Sequence, residues 1–153
     1  MSHVVDTNIL VRLVLPHDPL SPITLAAVDE LQKRGEALLV TPQNMMEFWA
    51  VATRPPTANG LGFTNDKVLE EVRRMERLFR VIDQPAATFR RWRQLVETHA
   101  VRGRQAFDAH LAAVMMESGL ERILTFNVDD FRRYPGITAV SPQSVAAPPA
   151  SAP

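Results

Sequence analysis

Four acidic residues stand where an acid is out of place: Asp6, Glu47, Asp108 and Asp130. Asp6 ends the short apolar run His3-Val4-Val5 and is followed at once by Thr7-Asn8. Glu47 interrupts Met45-Met46-Glu47-Phe48-Trp49. Asp108 opens the alanine-rich run Asp108-Ala109-His110-Leu111-Ala112-Ala113, and Asp130 closes Thr125-Phe126-Asn127-Val128-Asp129-Asp130-Phe131. Two unit charges about 4 Å apart repel by about 4 kcal/mol at an effective dielectric of ~20. A fold that gathers these acids therefore needs a divalent cation, which removes the repulsion and supplies chemistry.

Each acid also has a plainer account. Asp6 can cap a helix, although Thr7 or Asn8 would serve as well, so capping does not require an acid there. Glu47 can fall on the wet face of a helix that turns about 100° per residue. If it does not, an acid amid Met46, Phe48, Trp49 and Val51 is desolvated unless paired or metal-bound. Asp108 is favoured by the macrodipole at a helix N-terminus. Asp129 and Asp130 read singly as surface or capping residues. His110 lies on a different side of its helix from Asp108 and reads as packed or solvated. His3, His17 and His99 lack metal-ligand spacing, and no glycine-rich phosphate loop is present.

Short apolar runs at Val4-Val5, Leu38-Leu39-Val40, Ile123-Leu124 and Ile137 to Val140 predict strands, with Val81-Ile82 as an edge candidate. Helices are expected between them. One runs from Ile9 to Leu15 and stops at Pro16. One opens at Ser21-Pro22, buries Leu25, Val28 and Leu31, and ends at Gly35. One opens at Thr41-Pro42 and reaches about Thr53. After a loop from Arg54 to Gly62, Thr64 caps a helix with Val68, Val72, Met75 and Phe79 inward. Two more span Pro85 to about His99, burying Phe89, Trp92 and Val96, and Gln105 to Glu117. Strands apolar on both faces that alternate with helices predict an α/β fold, three-layer α/β/α with a mostly parallel sheet. Ligands bind beyond the carboxyl ends of such strands, where Asp6, Thr41 and Thr125 fall.

With 153 residues and 46% apolar content the chain can bury one core. One domain is expected over residues 1–141, followed by a Pro/Ala-rich tail, 142–153, expected to be disordered. There is no cysteine, hence no disulfide, thiol nucleophile or zinc-thiolate site. No apolar stretch approaches the ~18 residues of a membrane span. The chain runs straight into its first strand, so no signal peptide is expected and the location reads as cytoplasmic. Net charge is zero, yet nine Arg fall between Arg73 and Arg104 against Glu76, Asp83 and Glu97. Arginine forks suit phosphate, although solvated helix faces explain such a segment equally well.

In this order, Val5-Asp6-Thr7-Asn8-Ile9-Leu10, Glu47, Phe107-Asp108-Ala109-His110 and Leu124-Thr125-Phe126-Asn127-Val128-Asp129-Asp130-Phe131 resemble the PIN-domain ribonucleases. Within them they resemble the toxin half of VapBC toxin–antitoxin pairs. The resemblance covers residues 4 to about 141. It implies an endoribonuclease in which Asp6, Glu47 and Asp108 hold Mg²⁺ or Mn²⁺. Family members often carry Asp at the place of Asn127; a variant pattern, Thr-x-Asn-x-x-Asp-Phe, puts the fourth acid at Asp130 instead, as a fourth metal ligand or in support of the other three. Thr7, Asn8, Thr125 and Asn127 would hold water or the scissile phosphate, with Arg102 and Arg104 on the RNA backbone. A homodimer and a VapB-like antitoxin are implied as well. The alternative is a non-catalytic PIN-like module that binds RNA or protein, which Asn127 leaves open. A dehalogenase-type phosphohydrolase is disfavoured, because Asn8 occupies the place of its second acid.

Overall fold

The computed structural model describes residues 1–147. The chain runs through β1 (Ser2–Val5), α1 (Thr7–Leu13), α2 (Ser21–Lys33), β2 (Ala37–Val40), α3 (Pro42–Thr53) and α4 (Asn65–Leu78). It continues through β3 (Arg80–Val81), α5 (Thr88–Thr98), α6 (Gln105–Glu117), β4 (Arg122–Leu124), α7 (Val128–Phe131), β5 (Thr138–Val140) and α8 (Pro142–Ala146). The five strands form one sheet in the order β3-β2-β1-β4-β5, and every pairing is parallel. The short β3 is the edge, as Val81-Ile82 suggests.

Strand pleating sets the layers. Val4 pairs with Leu39 on one side and Ile123 on the other, and all three point into the core beneath α5, α6 and α7. Val5, Leu38, Val40 and Leu124 point the opposite way, into the core beneath α1 to α4. The three inner strands, β1, β2 and β4, are thus apolar on both faces because each face meets a helical layer. Successive strands also end at the same edge. The Asp6 amide, just past β1, donates to the Leu124 carbonyl at 3.0 Å, and the Thr125 amide donates to Val140 at 3.0 Å.

The helix starts follow local chemistry. Thr41 and Asn44 form a capping box around the first turn of α3, and Thr64 accepts from the Lys67 amide at the start of α4. At the end of α3 the chain doubles back. The Leu61, Gly62 and Phe63 amides donate to the carbonyls of Val51, Arg54 and Ala52. A Cβ on Gly60 would lie 1.9 Å from the Arg54 carbonyl oxygen, so only glycine allows this approach.

Three expectations differ. In α2 the inward stripe is Thr24, Ala27, Val28 and Leu31, while Leu25 is 47% exposed. Thr24 goes inside because its hydroxyl donates to the Leu20 carbonyl at 2.7 Å, which satisfies the polar group. In α5 the helix begins only at Thr88, which leaves Phe89 in the first turn, 65% exposed and stacked on Trp92; Leu95 takes the core position. The expected structureless tail from residue 142 instead opens with α8, capped by Ser141 and burying Pro142 and Val145 against the α2 side of the core. Residues 148–153 lie outside the described residues.

Burying an aliphatic side chain such as Val145 is worth about 1.5–3 kcal/mol. Truncation after Ser141 should lower unfolding free energy by roughly 2 kcal/mol, read as a drop in the thermal midpoint by circular dichroism. An unchanged midpoint would show that α8 is only loosely attached.

Candidate functional site

The four acids reach one cleft from four elements. Asp6 sits in the turn after β1, Glu47 in the second turn of α3, Asp108 in the first turn of α6 and Asp130 in α7. All four line a cleft of about 750 Å³ beyond the carboxyl edge of the sheet. Thr7, Asn8, Asn127 and Arg104 line it as well. Thr125 is fully buried beneath it, and Arg102 is exposed outside it.

Asp6 caps α1 itself, taking the role that Thr7 or Asn8 could have filled. Its Oδ1 accepts from the Thr7 amide at 2.7 Å. Its Oδ2 accepts from the Thr125 hydroxyl at 2.7 Å and the Asn8 amide nitrogen at 3.0 Å. Asn8 spends its second N–H on Thr125 and accepts from the Phe126 amide, while Thr125 also accepts from the Asn127 amide. The Thr7 hydroxyl donates to Glu47 Oε2 at 3.0 Å and accepts from Asn44. Thr7, Asn8 and Thr125 therefore commit their polar side-chain atoms to orienting acids, not to holding substrate. Asn127 alone of the four keeps an exposed side chain in the cleft.

None of the four acids is ion-paired among the described residues. Burial pushes the Asp6 carboxyl up to about 6, although the bonds from Thr125 and Thr7 oppose the rise; the charges of Glu47 and Asp130 add to it. Asp108 is pushed up to about 7 by burial and then by Asp6, Asp130 and Glu47, with Arg104 pulling the other way. Among the described residues no three acidic or imidazole groups already form a closed metal cage. The acids instead face one another across the cleft, where their charges help to raise the affinity of Asp6 and Asp108 for protons. An all-oxygen, charge-crowded donor set of this kind fits Mg²⁺ or Mn²⁺, which bind through a few carboxylates and keep several waters. Asp6, Asp108 and Glu47 would hold such an ion, with Asp130 beside them.

Sequence reasoning missed several residues. Arg12 and Arg54 line the cleft, Arg12 with its guanidinium 4.8 Å from the Phe126 ring centre and donating to the Asn8 carbonyl at 2.9 Å. Both lie far from the basic 73–104 segment, so charge counting along the chain could not find them. Gln43 donates to Glu47 Oε1 at 2.6 Å, and His110 bonds to Gln43. Gln43 lies four residues before Glu47, a spacing that could have flagged it.

A sign for the pH dependence follows. Both acids titrate higher in the folded chain than unfolded, so the folded chain holds more protons from about pH 4 to 7. Their contribution to stability is favourable below that window and is lost as pH rises through it. For Asp6 alone the loss is on the order of 3 kcal/mol. In chelator, Asp108→Asn should therefore be more stable than the unaltered chain at pH 8, with the advantage shrinking at pH 5. Denaturant melts at both pH values check this; an advantage that grows on acidification would reverse the sign.

The sequence signature of the PIN domain matches residues 3–137. No curated protein matches the chain in sequence. Among solved structures, VapBC2 from Rickettsia felis, bound to a DNA fragment from their promoter, superposes with a TM-score of 0.68 at 16% identity, over 92% of this chain and 98% of that one. A toxin–antitoxin complex from Klebsiella pneumoniae gives 0.63 at 20% identity, over 92% and 97%. VapC20 of Mycobacterium tuberculosis, a sarcin-ricin loop cleaving toxin, gives 0.63 at 17%, over 85% and 92%. At such identities the likeness is one of fold, and it agrees with the all-parallel sheet and its helical layers. The signature spans nearly the whole chain: this protein belongs to the PIN-domain family.

Proposed function

We propose that this chain is a metal-dependent endoribonuclease that cleaves RNA phosphodiester bonds as the toxin of a toxin–antitoxin pair. One observation carries the reading: four acids from separate elements meet in a cleft where burial and mutual charge raise Asp6 and Asp108. Family membership and the toxins among the structural neighbours support it. A divalent cation held there supplies positive charge to the scissile phosphate and acidity to the attacking water.

The chain's own residues prepare the site. Thr125, Asn8 and the Thr7 amide fix both oxygens of Asp6. Thr7 and Gln43 fix the two oxygens of Glu47. Arg12, Arg54 and Arg104 border the acids and bind the phosphates on either side of the bond to be cut. The non-catalytic alternative loses ground to Asp130, whose charge acts on both Asp6 and Asp108 although Asn127 is neutral. Met46 and Phe107, next in sequence to Glu47 and Asp108, are 65% and 59% exposed and offer apolar surface to a VapB-like antitoxin. A homodimer remains part of this proposal.

Asp6→Asn and Asp108→Asn should each cut RNA cleavage at least a hundredfold with the fold intact, and chelator should do the same to the unaltered chain. A folded Asp6→Asn variant of full activity would refute the reading. Replacing Arg54 and Arg104 together by Gln should lower the salt slope of single-stranded RNA binding by about 1.4, roughly 0.7 per lost contact. Arg102→Gln should leave it nearly unchanged; the reverse ranking would move the RNA path away from the cleft.

A further inference from the structure

Glu47 is held by more than its own helix. Gln43, one turn earlier in α3, donates from Nε2 to Glu47 Oε1 at 2.6 Å and to the Phe107 carbonyl at 2.9 Å. An amide nitrogen has two hydrogens, and both are spent. One grips the carboxylate of Glu47. The other grips the backbone of α6 one residue before Asp108. The amide therefore bridges the two helices that carry two of the acids.

That double donation fixes the amide's orientation, so its Oε1 must accept. The group facing it is Nδ1 of His110. His110 must accordingly carry its proton on Nδ1. Its Nε2 faces Gln84 Oε1 at 3.1 Å, where the exposed Gln84 amide can turn to donate. The same chain runs on beyond the acid, since Thr7 donates to Glu47 Oε2 and Asn44 donates to Thr7. Every link from His110 to Asn44 has a defined donor and acceptor. His110 stands two positions past Asp108, on another side of α6, so it reaches α3 rather than the centre of the cleft.

We infer that Gln43 and His110 are positioning residues that brace Glu47 against the start of α6 and so preset the spacing of the cation-binding acids. Neither touches the reacting atoms. This rests on the metal-dependent reading above. Groups that orient ligating residues in this way typically alter metal affinity 10–100-fold when lost.

The test is Mn²⁺ binding by titration calorimetry on the full chain, with no RNA present. His110→Leu removes the donor to Gln43 and should weaken Mn²⁺ binding about tenfold. His110→Asn places an amide N–H near the position of Nδ1 and should restore affinity to within about threefold. Gln43→Leu, which loses both donated bonds, should weaken binding at least as much as His110→Leu. In cleavage assays the loss in His110→Leu should be recovered at high Mn²⁺ with the KM for RNA unchanged, which a general loss of structure would not give. Should His110→Leu not fold, the comparison of Gln43→Leu with His110→Asn decides. Mn²⁺ binding by the unaltered chain that is matched by the folded Leu variants overturns the brace alone. No Mn²⁺ binding by the unaltered chain overturns the brace and the nuclease reading together.

Discussion

Burial of carboxylates, crowded together at one edge of the sheet, is the constraint on which the site depends. Asp6 is buried and accepts three hydrogen bonds, yet burial still outweighs them and lifts its affinity for protons. A fold selected for stability alone would place an amide or an alcohol there. An acid there would make sense if a cation completes the site, since the energy stored in the crowded acids would then become affinity for the ion.

Sheet register puts the acids there. Val4 pairs with Leu39 and Ile123 at once, so β1 is pinned on both sides at the centre of the sheet. Shifting β1 by one residue would exchange Val4 and Val5 between the two cores, which bury different partners. With the register fixed, Asp6 must emerge beside Leu124 and within reach of Thr125. The helices then deliver the remaining acids: α3 and α6 each begin near that edge and carry Glu47 and Asp108 within their first two turns. Gln43 links those helices through its donation to the Phe107 carbonyl.

Much of this was legible in the sequence, and the failures have physical causes. Apolar strand runs, proline and threonine caps and misplaced acids report on local structure, so the parallel sheet and the meeting of Asp6, Glu47, Asp108 and Asp130 could be read from them. Helix faces were harder. Leu25 and Thr24 are adjacent; the helix phase of Ala27, Val28 and Leu31 puts position 24 inward, and the bond from Thr24 to the Leu20 carbonyl makes its burial tolerable. Phe89 was misread because α5 starts later than the proline suggests, and ring stacking on Trp92 occupies the aromatic surface at the edge of the core. The segment after Ser141 looked too poor in apolar bulk to order. One buried valine, a proline and a serine cap are enough when α2 already offers a surface to dock on. Gln43 could have been flagged by its spacing from Glu47, but its bonds to the Phe107 carbonyl and His110 join residues far apart in sequence, at which composition cannot hint.

The arginines show why charge along a chain is a weak guide to charge in space. In the basic segment Arg74, Arg91 and Arg93 pair with Glu71, Glu117 and Glu97, as solvated helix faces do. Arg12, Arg54 and Arg104 border the acids, yet none of the seven ion pairs among the described residues joins any of the three to Asp6, Glu47, Asp108 or Asp130. Arg12 is held aside by the Asn8 carbonyl and the face of Phe126. Were its guanidinium to close on a carboxylate, it would compete with a divalent ion for that oxygen. On the proposed reading, cations kept near the acids but unpaired with them would leave the carboxylates to a metal and Arg54 and Arg104 to phosphate, as cutting a polyanion with the help of a cation would require.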